Sequence, residues 1–160
     1  MLWIPARNQS ISQISWRNAT CDLRSKLRWE LLAPALMKAE MTTNGRVDVS
    51  FTAQYGKKPS TVFFFTRQVD RALGKLKYTI RWNLNRTFIL TVKSGKVLLE
   101  NSSSVTNSHV FYLGNASNNY ITFKSKTADK FLMADAQGVI GLTSNSHVAT
   151  HFKKRKCVHV

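Results

Sequence analysis

An imperfect internal repeat constrains the fold of this chain more than any other feature. Residues 87–99 read as an aromatic and aliphatic strand, a turn glycine and a second aliphatic strand, and residues 130–142 repeat that order. A weaker copy lies upstream. The turn glycines of the three copies are Gly45, Gly95 and Gly138, which are 50 and 43 residues apart. Glycine adopts positive φ without steric cost, so each of them is expected at the tip of a hairpin.

The spacing of the apolar runs predicts an all-β protein. From about residue 46, short β-branched or aromatic runs alternate with polar turns at roughly 8–12 residue intervals. Three copies of about four strands each predict a β-trefoil, a closed six-stranded barrel capped by three hairpins, over residues 25–156. We expect residues 1–24 to form an irregular N-terminal arm and residues 153–160 a basic tail. Helical periodicity is confined to residues 23–41, where Pro34 interrupts it.

Alternating aliphatic side chains of the three hairpins are expected to fill the core, together with most aromatic side chains of the strands. The aliphatic positions are Val47, Val49, Ile89, Val97, Leu99, Leu132, Val139 and Leu142. The aromatic positions are Phe63, Phe64, Phe65, Phe88, Phe111, Phe123, Phe131 and Phe152.

The charge balance points to an anionic partner. The 160 residues carry 24 Lys and Arg against 8 Asp and Glu, a formal net charge of +16. With 43% hydrophobic residues the chain can bury a core, so the excess charge is expected on the surface, where it favours nucleic acid, sulfated glycan, anionic lipid or an acidic filament. The cations that we assign to polyanion or heparin binding are Lys126, Lys130, Lys153, Lys154, Arg155 and Lys156.

The residues that carry catalysis or bind metals in other proteins form no convincing pattern here. The carboxylates are scattered, and no glycine-rich phosphate loop or nucleophile elbow occurs. His147, His151, Cys157 and His159 offer only weak support for a structural zinc site. We therefore expect a binding protein that is not an enzyme and that needs no cofactor or metal.

Two features bear on the compartment. Cys21 and Cys157 lie near opposite ends of the chain, where a disulfide is possible, although two isolated cysteines are more often unpaired. No cleavable signal sequence is recognised at the N-terminus. Five Asn-x-Ser/Thr sequons would accept glycans if the chain entered a secretory pathway; they begin at Asn8, Asn18, Asn85, Asn101 and Asn115.

Residues 106–125, which contain Asn118-Asn119-Tyr120-Ile-Thr-Phe-Lys-Ser, resemble the signature of the fibroblast growth factor family. Residues 44–48 and the second copy resemble the same family, so that the similarity covers about residues 25–155. The resemblance implies a growth-factor-like ligand that binds a receptor tyrosine kinase with heparan sulfate as co-ligand. It also implies secretion without a cleaved leader, and receptor contacts at Asn118 and Tyr120, with Trp29 as a further aromatic contact.

Two other β-trefoil families are alternatives. Residues 124–139 are similar to a fascin or hisactophilin repeat, which implies a cytoplasmic module that binds actin. The interleukin-1 family is similar in its barrel and in an Asn-Tyr pair before the last copy, here Asn119-Tyr120. Because one fold serves several functions, the resemblance alone does not decide among a growth factor, a cytokine and an actin-binding module.

Overall fold

The computed structural model describes residues 18–160, so the expected arm over residues 1–17 lies outside the described part of the chain. Twelve strands and one short α-helix, α1 (Lys26–Glu30), follow one another along these residues. The strands are β1 (Asn18–Ser25), β2 (Leu36–Met41), β3 (Val47–Ala53), β4 (Phe63–Asp70), β5 (Lys75–Trp82), β6 (Phe88–Lys93), β7 (Lys96–Asn101), β8 (Phe111–Asn115), β9 (Ile121–Ser125), β10 (Phe131–Ala134), β11 (Ile140–Thr143) and β12 (Phe152–His159).

Antiparallel pairing closes six of the strands into a barrel. β1 pairs with β4, β4 with β5, β5 with β8, β8 with β9, β9 with β12, and β12 returns to β1. The hairpins β2–β3, β6–β7 and β10–β11 lie outside this ring, one in each copy of the repeat. This arrangement confirms the predicted β-trefoil. No helix among residues 18–160 is long and apolar enough to cross a membrane.

The three predicted turn glycines lie between the strands of the three hairpins, and all have positive φ. Gly138 has a second reason to lack a side chain. A Cβ atom there would approach the carbonyl oxygen of Phe51 to 2.6 Å, and the Gly138 carbonyl accepts a hydrogen bond of 2.8 Å from the Phe51 N–H. The hairpin of the third copy therefore packs directly against that of the first.

The core consists largely of the predicted side chains. Six phenylalanines are at most 1% exposed: Phe51, Phe63, Phe65, Phe111, Phe123 and Phe152. Among the predicted aliphatic positions, Ile89 and Leu132 are fully buried. Val139 is not a core residue, because it follows the turn at Gly138 directly and is 60% exposed.

Both ends of the domain differ from the sequence prediction. Residues 18–24 belong to β1 and not to an irregular arm, because Ala19, Cys21 and Leu23 alternate into the core while the backbone pairs with β4 and β12. Residues 153–159 likewise belong to β12 and are no free tail. Cys21 and Cys157 form a disulfide between these two strands, with the Cα atoms 4.3 Å apart.

The predicted helical region contains only one helical turn followed by a strand. The Ser25 hydroxyl caps α1 by accepting a hydrogen bond of 3.2 Å from the N–H of Arg28. Pro34 follows soon afterwards and is incompatible with a continued helix. Residues 36–41 form β2, whose pairing with β3 overrides their helical periodicity.

Candidate anion-binding surface

Cations of the first and third copies meet where β1 and β12 lie side by side. Arg24 is opposite Lys153 and Asp22 is opposite Arg155 in this antiparallel pair. Leu23, between them, points into the core, so the two charged pairs lie on the outer face of the barrel. We name this surface the β1–β12 seam and include in it Arg24, Lys26, Lys153, Arg155 and Lys156.

A β-bulge adds Lys156 to the seam. The register of β1 and β12 shifts between Thr20 and Asp22, and Lys156 has φ +52°. Successive residues of a regular strand point to opposite faces, but a bulge redirects one of them. Arg155 and Lys156 consequently line the same cleft, although they are adjacent in sequence.

The ring of Tyr120 supports the other end of the seam. Lys153 Nζ lies 4.4 Å and Lys26 Nζ 5.0 Å from the centroid of this ring. Cations are attracted to the electron-rich face of an aromatic ring, which here lets two ammonium groups share one side chain. The same contacts leave Tyr120 only 8% exposed.

His151 stacks on Tyr120 with ring centroids 6.5 Å apart. Burial is the main cause that lowers the pKa of His151 below its ordinary value of 6.5, and the charges of Lys26 and His147 lower it further. Glu30 acts in the opposite direction. The imidazole is therefore neutral near pH 7 and adds no charge to the seam there.

Arg28 fixes the turn that borders the seam. Its Nε donates to the carbonyl oxygens of Pro34 at 2.9 Å and Phe51 at 3.2 Å, and Nη1 donates to that of Ala136 at 2.7 Å. These bonds join α1 to the hairpins of the first and third copies. Trp29 is thereby held with 53% of its surface exposed and with the guanidinium of Arg24 4.0 Å from its ring centroid.

The six cations predicted for polyanion binding are not one cluster. Lys153, Arg155 and Lys156 lie in the seam. Lys154 points the other way and donates a hydrogen bond of 2.6 Å to the Tyr78 hydroxyl, above the aromatic core. Lys126 and Lys130 lie in the turn that follows β9.

The strand register separates that turn from the seam. β9 meets β12 at the pair Ile121–Phe152 and continues for four more residues, about 13 Å, before the turn that contains Lys126 begins. Because the two strands are antiparallel, β12 leads from Phe152 in the opposite direction. Within residues 18–160, none of the six predicted cations has a carboxylate within 4 Å.

The predicted receptor contacts differ in accessibility. Asn118 is exposed, in a turn where it and Asn119 both have positive φ. Tyr120 is covered by the lysines described above, whereas Trp29 is exposed beside the seam. The structure thus brings Trp29 close to Arg24, and it brings Tyr120 close to Lys26 and Lys153.

Sequence reasoning missed Arg24 and Lys26 as cations of the site. Both fall in the stretch interpreted as an arm and the start of a helix. The alternation of Ala19, Cys21 and Leu23 is a strand signal that could have revealed that Arg24 lies on the outer face.

The part of the chain from residue 18 onward contains no group of three His, Cys, Asp or Glu side chains placed to hold a metal ion. Cys157, one of the weak zinc candidates, is used in the disulfide.

No protein-family model and no curated protein matches this chain. Among solved structures, the designed threefold-symmetric protein ThreeFoil is similar with a TM-score of 0.64 and 13% identity, over 86% of this chain and 98% of that one. The SDF2-like protein from Arabidopsis thaliana is similar with a TM-score of 0.65 and 6% identity, over 91% of this chain and 96% of that one. Likeness at such low identity agrees with the β-trefoil fold and carries no further assignment.

Proposed function

We propose that this β-trefoil protein is a secreted, non-enzymatic ligand that binds sulfated glycan of the heparan sulfate type through the β1–β12 seam. The observation that carries the proposal is the set of five cations on one face. Four of them have no carboxylate within 4 Å among residues 18–160, and the fifth, Lys26, has only the exposed Glu30 at 3.9 Å. An exposed ion pair of this kind contributes little free energy. The cations of the seam therefore remain available to an external polyanion.

The disulfide supports the extracellular part of the proposal. Disulfides persist in oxidising compartments and are rare in the cytosol. Cys21–Cys157 links the two strands that present the cations, so an oxidising environment also preserves the proposed binding surface.

Heparin chromatography of matched variants tests the seam. We compare K153Q/R155Q/K156N with K96Q/K126Q/K130Q, since both remove three cations and the control positions are exposed and lie outside the seam. Asn replaces Lys156 because Asn tolerates positive φ. The seam variant should elute at lower salt than the control, because it loses localised contacts with sulfates and not only net charge.

If both variants elute from heparin at the same reduced salt concentration, the seam has no special role in heparin binding. Elution of the wild-type protein at or below physiological salt would overturn the glycan proposal as a whole.

A receptor-ligand role is a second part of the proposal, and an exposed apolar turn supports it. Trp29 and Leu31 are each 53% exposed, and Leu32 is 95% exposed with φ +59°. Exposed large apolar side chains grouped in this way are typical of protein interaction sites. We infer that this turn contacts the ectodomain of a receptor tyrosine kinase.

The receptor role is tested on cells with L31S/L32G, which leaves Arg24 and Trp29 intact. Gly suits the positive φ of Leu32, so the fold should be retained. Receptor phosphorylation should fall for this variant and remain unchanged for L84S, which alters an exposed leucine between β5 and β6. Equal signalling by L31S/L32G and the wild-type protein would exclude the turn as the receptor contact.

A further inference from the structure

A cleft of about 270 Å³ lies beside the seam. Arg155 and Lys156 line it together with residues of α1 and the turn that follows α1. Arg24, Trp29 and Tyr55 also line this cleft, together with the buried Asp22. Tyr55 is exposed. The cleft is therefore lined by three cations, one carboxylate and two aromatic side chains.

Arg24 is the unusual group of this cleft. It is only 8% exposed, its Nε is shielded from water, and no residue among 18–160 accepts a hydrogen bond from that Nε. No described carboxylate lies within 4 Å of its guanidinium. Among the described residues, the aromatic ring of Trp29 stabilises this charge, because its centroid lies 4.0 Å from the guanidinium carbon of Arg24. A buried guanidinium N–H without an acceptor is costly, and an anion bound at Arg24 would offset part of that cost.

Asp22 forms no ion pair with Arg24 within 4 Å, and its carboxylate has other hydrogen-bond partners. Its oxygens accept hydrogen bonds from the N–H of Lys57 at 3.1 and 3.2 Å and from the Thr61 hydroxyl at 3.4 Å. The backbone approaches so closely that a Cβ on Gly56 would lie 2.0 Å from Asp22 Oδ2. Asp22 thus holds the loop that carries Tyr55, and Arg24 is left for a ligand.

We propose that this cleft binds one sulfated sugar residue, with the sulfate on Arg24 and the sugar ring between Trp29 and Tyr55. The inference rests on the proposed glycan binding and specifies a subsite for it. The volume is below the roughly 300–1,000 Å³ of sites that enclose a drug-sized molecule, and it suits a single ring. Guanidinium groups bind planar pairs of anionic oxygens through two N–H groups, which a lysine cannot do. Arg155 and Lys156 would bind neighbouring sulfates of the same chain.

The test is calorimetric titration of the full chain with a heparin-derived hexasaccharide and with the same hexasaccharide after desulfation. The variant R24K keeps the charge but loses the two-pronged donor, and we expect it to bind the sulfated form about tenfold more weakly. The matched control is R86K, because Arg86 also lies over an aromatic ring, that of Phe64, at 3.9 Å, but outside the cleft. R86K should bind like the wild-type protein, and the desulfated form should bind weakly to all three.

A measurement on the wild-type protein covers the case in which R24K fails to fold. The NMR signal of the Arg24 Nε–H group should shift when the sulfated hexasaccharide saturates the protein. Hexasaccharide binding with an unchanged Arg24 signal, or with equal affinity of a folded R24K, would overturn the cleft while leaving the seam proposal intact.

Two further outcomes distinguish the proposals. Absence of hexasaccharide binding by the wild-type protein would overturn both the glycan function and the cleft. Binding to phosphatidylserine vesicles that R24K weakens, with no effect of R24K on the hexasaccharide, would assign Arg24 to a lipid surface and contradict the sugar subsite.

Discussion

His151 is the residue whose surroundings predict a pH dependence of stability. It stacks on Tyr120, faces Lys26, His147 and Glu30, and has a pKa lowered from 6.5, chiefly by burial. Lys153 lies over the same tyrosine ring. Protonation of His151 would bring a further positive charge beside two ammonium groups.

Well above pH 6.5 the imidazole is neutral in both the folded and the unfolded chain, so it contributes nothing there to the pH dependence of the free energy of unfolding. Below pH 6.5 the unfolded chain takes up the proton more readily, and the free energy of unfolding should fall as the pH falls. The variant H151Q should show a smaller fall when urea unfolding is measured between about pH 7.5 and about pH 5.5.

The control for this prediction is H159Q, which alters the exposed end of β12. It should retain the wild-type pH dependence. The same slope in H151Q and the wild-type protein would show that His151 is not responsible.

The pair of strands β1 and β12 depends on the disulfide at the bulge. Cys21 is in the core, and its link to Cys157 closes a loop with a sequence separation of 136 residues. Cross-links across long loops restrict the unfolded chain strongly. We expect C21A/C157A to lower the free energy of unfolding by about 2–5 kcal/mol in urea titrations.

The control is the wild-type protein with its disulfide reduced, because it lacks the cross-link but keeps the cysteine side chains in place of alanine. Its free energy of unfolding should fall by a similar amount. A loss of less than about 1 kcal/mol in both samples would contradict a stabilising role of the cross-link.

At the scale of the whole molecule, three of the five sequons lie away from the proposed binding surface, whereas Asn18 is the first residue of β1 and Asn8 lies outside the described residues. Asn85, Asn101 and Asn115 belong to the second copy and are exposed, whereas the β1–β12 seam joins the first and third copies. Expression through a secretory pathway should therefore place glycans on the second copy without blocking heparin. The measurements are the mass before and after enzymatic deglycosylation, and the heparin elution of both forms.

Unmodified sequons in protein retained in the cytosol would argue against secretion and would favour the actin-binding alternative. A large change of heparin elution after deglycosylation would instead show that the glycans lie close to the anion site.

Strand patterns and turn glycines were accessible from the sequence because they depend on neighbouring residues. Gly45, Gly95 and Gly138 mark the hairpins, and the alternation around Phe63 and Phe123 places those side chains in the core. The limits of the domain were misjudged at β1 and β12, because short strands at a chain end gain their stability from partners distant in sequence. The same reason explains why the sequence alone does not predict the pairing of Cys21 with Cys157.

By itself the sequence determined a threefold β-trefoil with a strongly cationic surface, since hydrophobic periodicity and net charge are properties of local order and composition. Only the tertiary structure decided which cations are neighbours. Closure of the barrel aligns Arg24 with Lys153, buries Tyr120 beneath two lysines and leaves the Nε of Arg24 without a hydrogen-bond acceptor among the described residues. These relations depend on strand register across the whole chain, which no local pattern specifies.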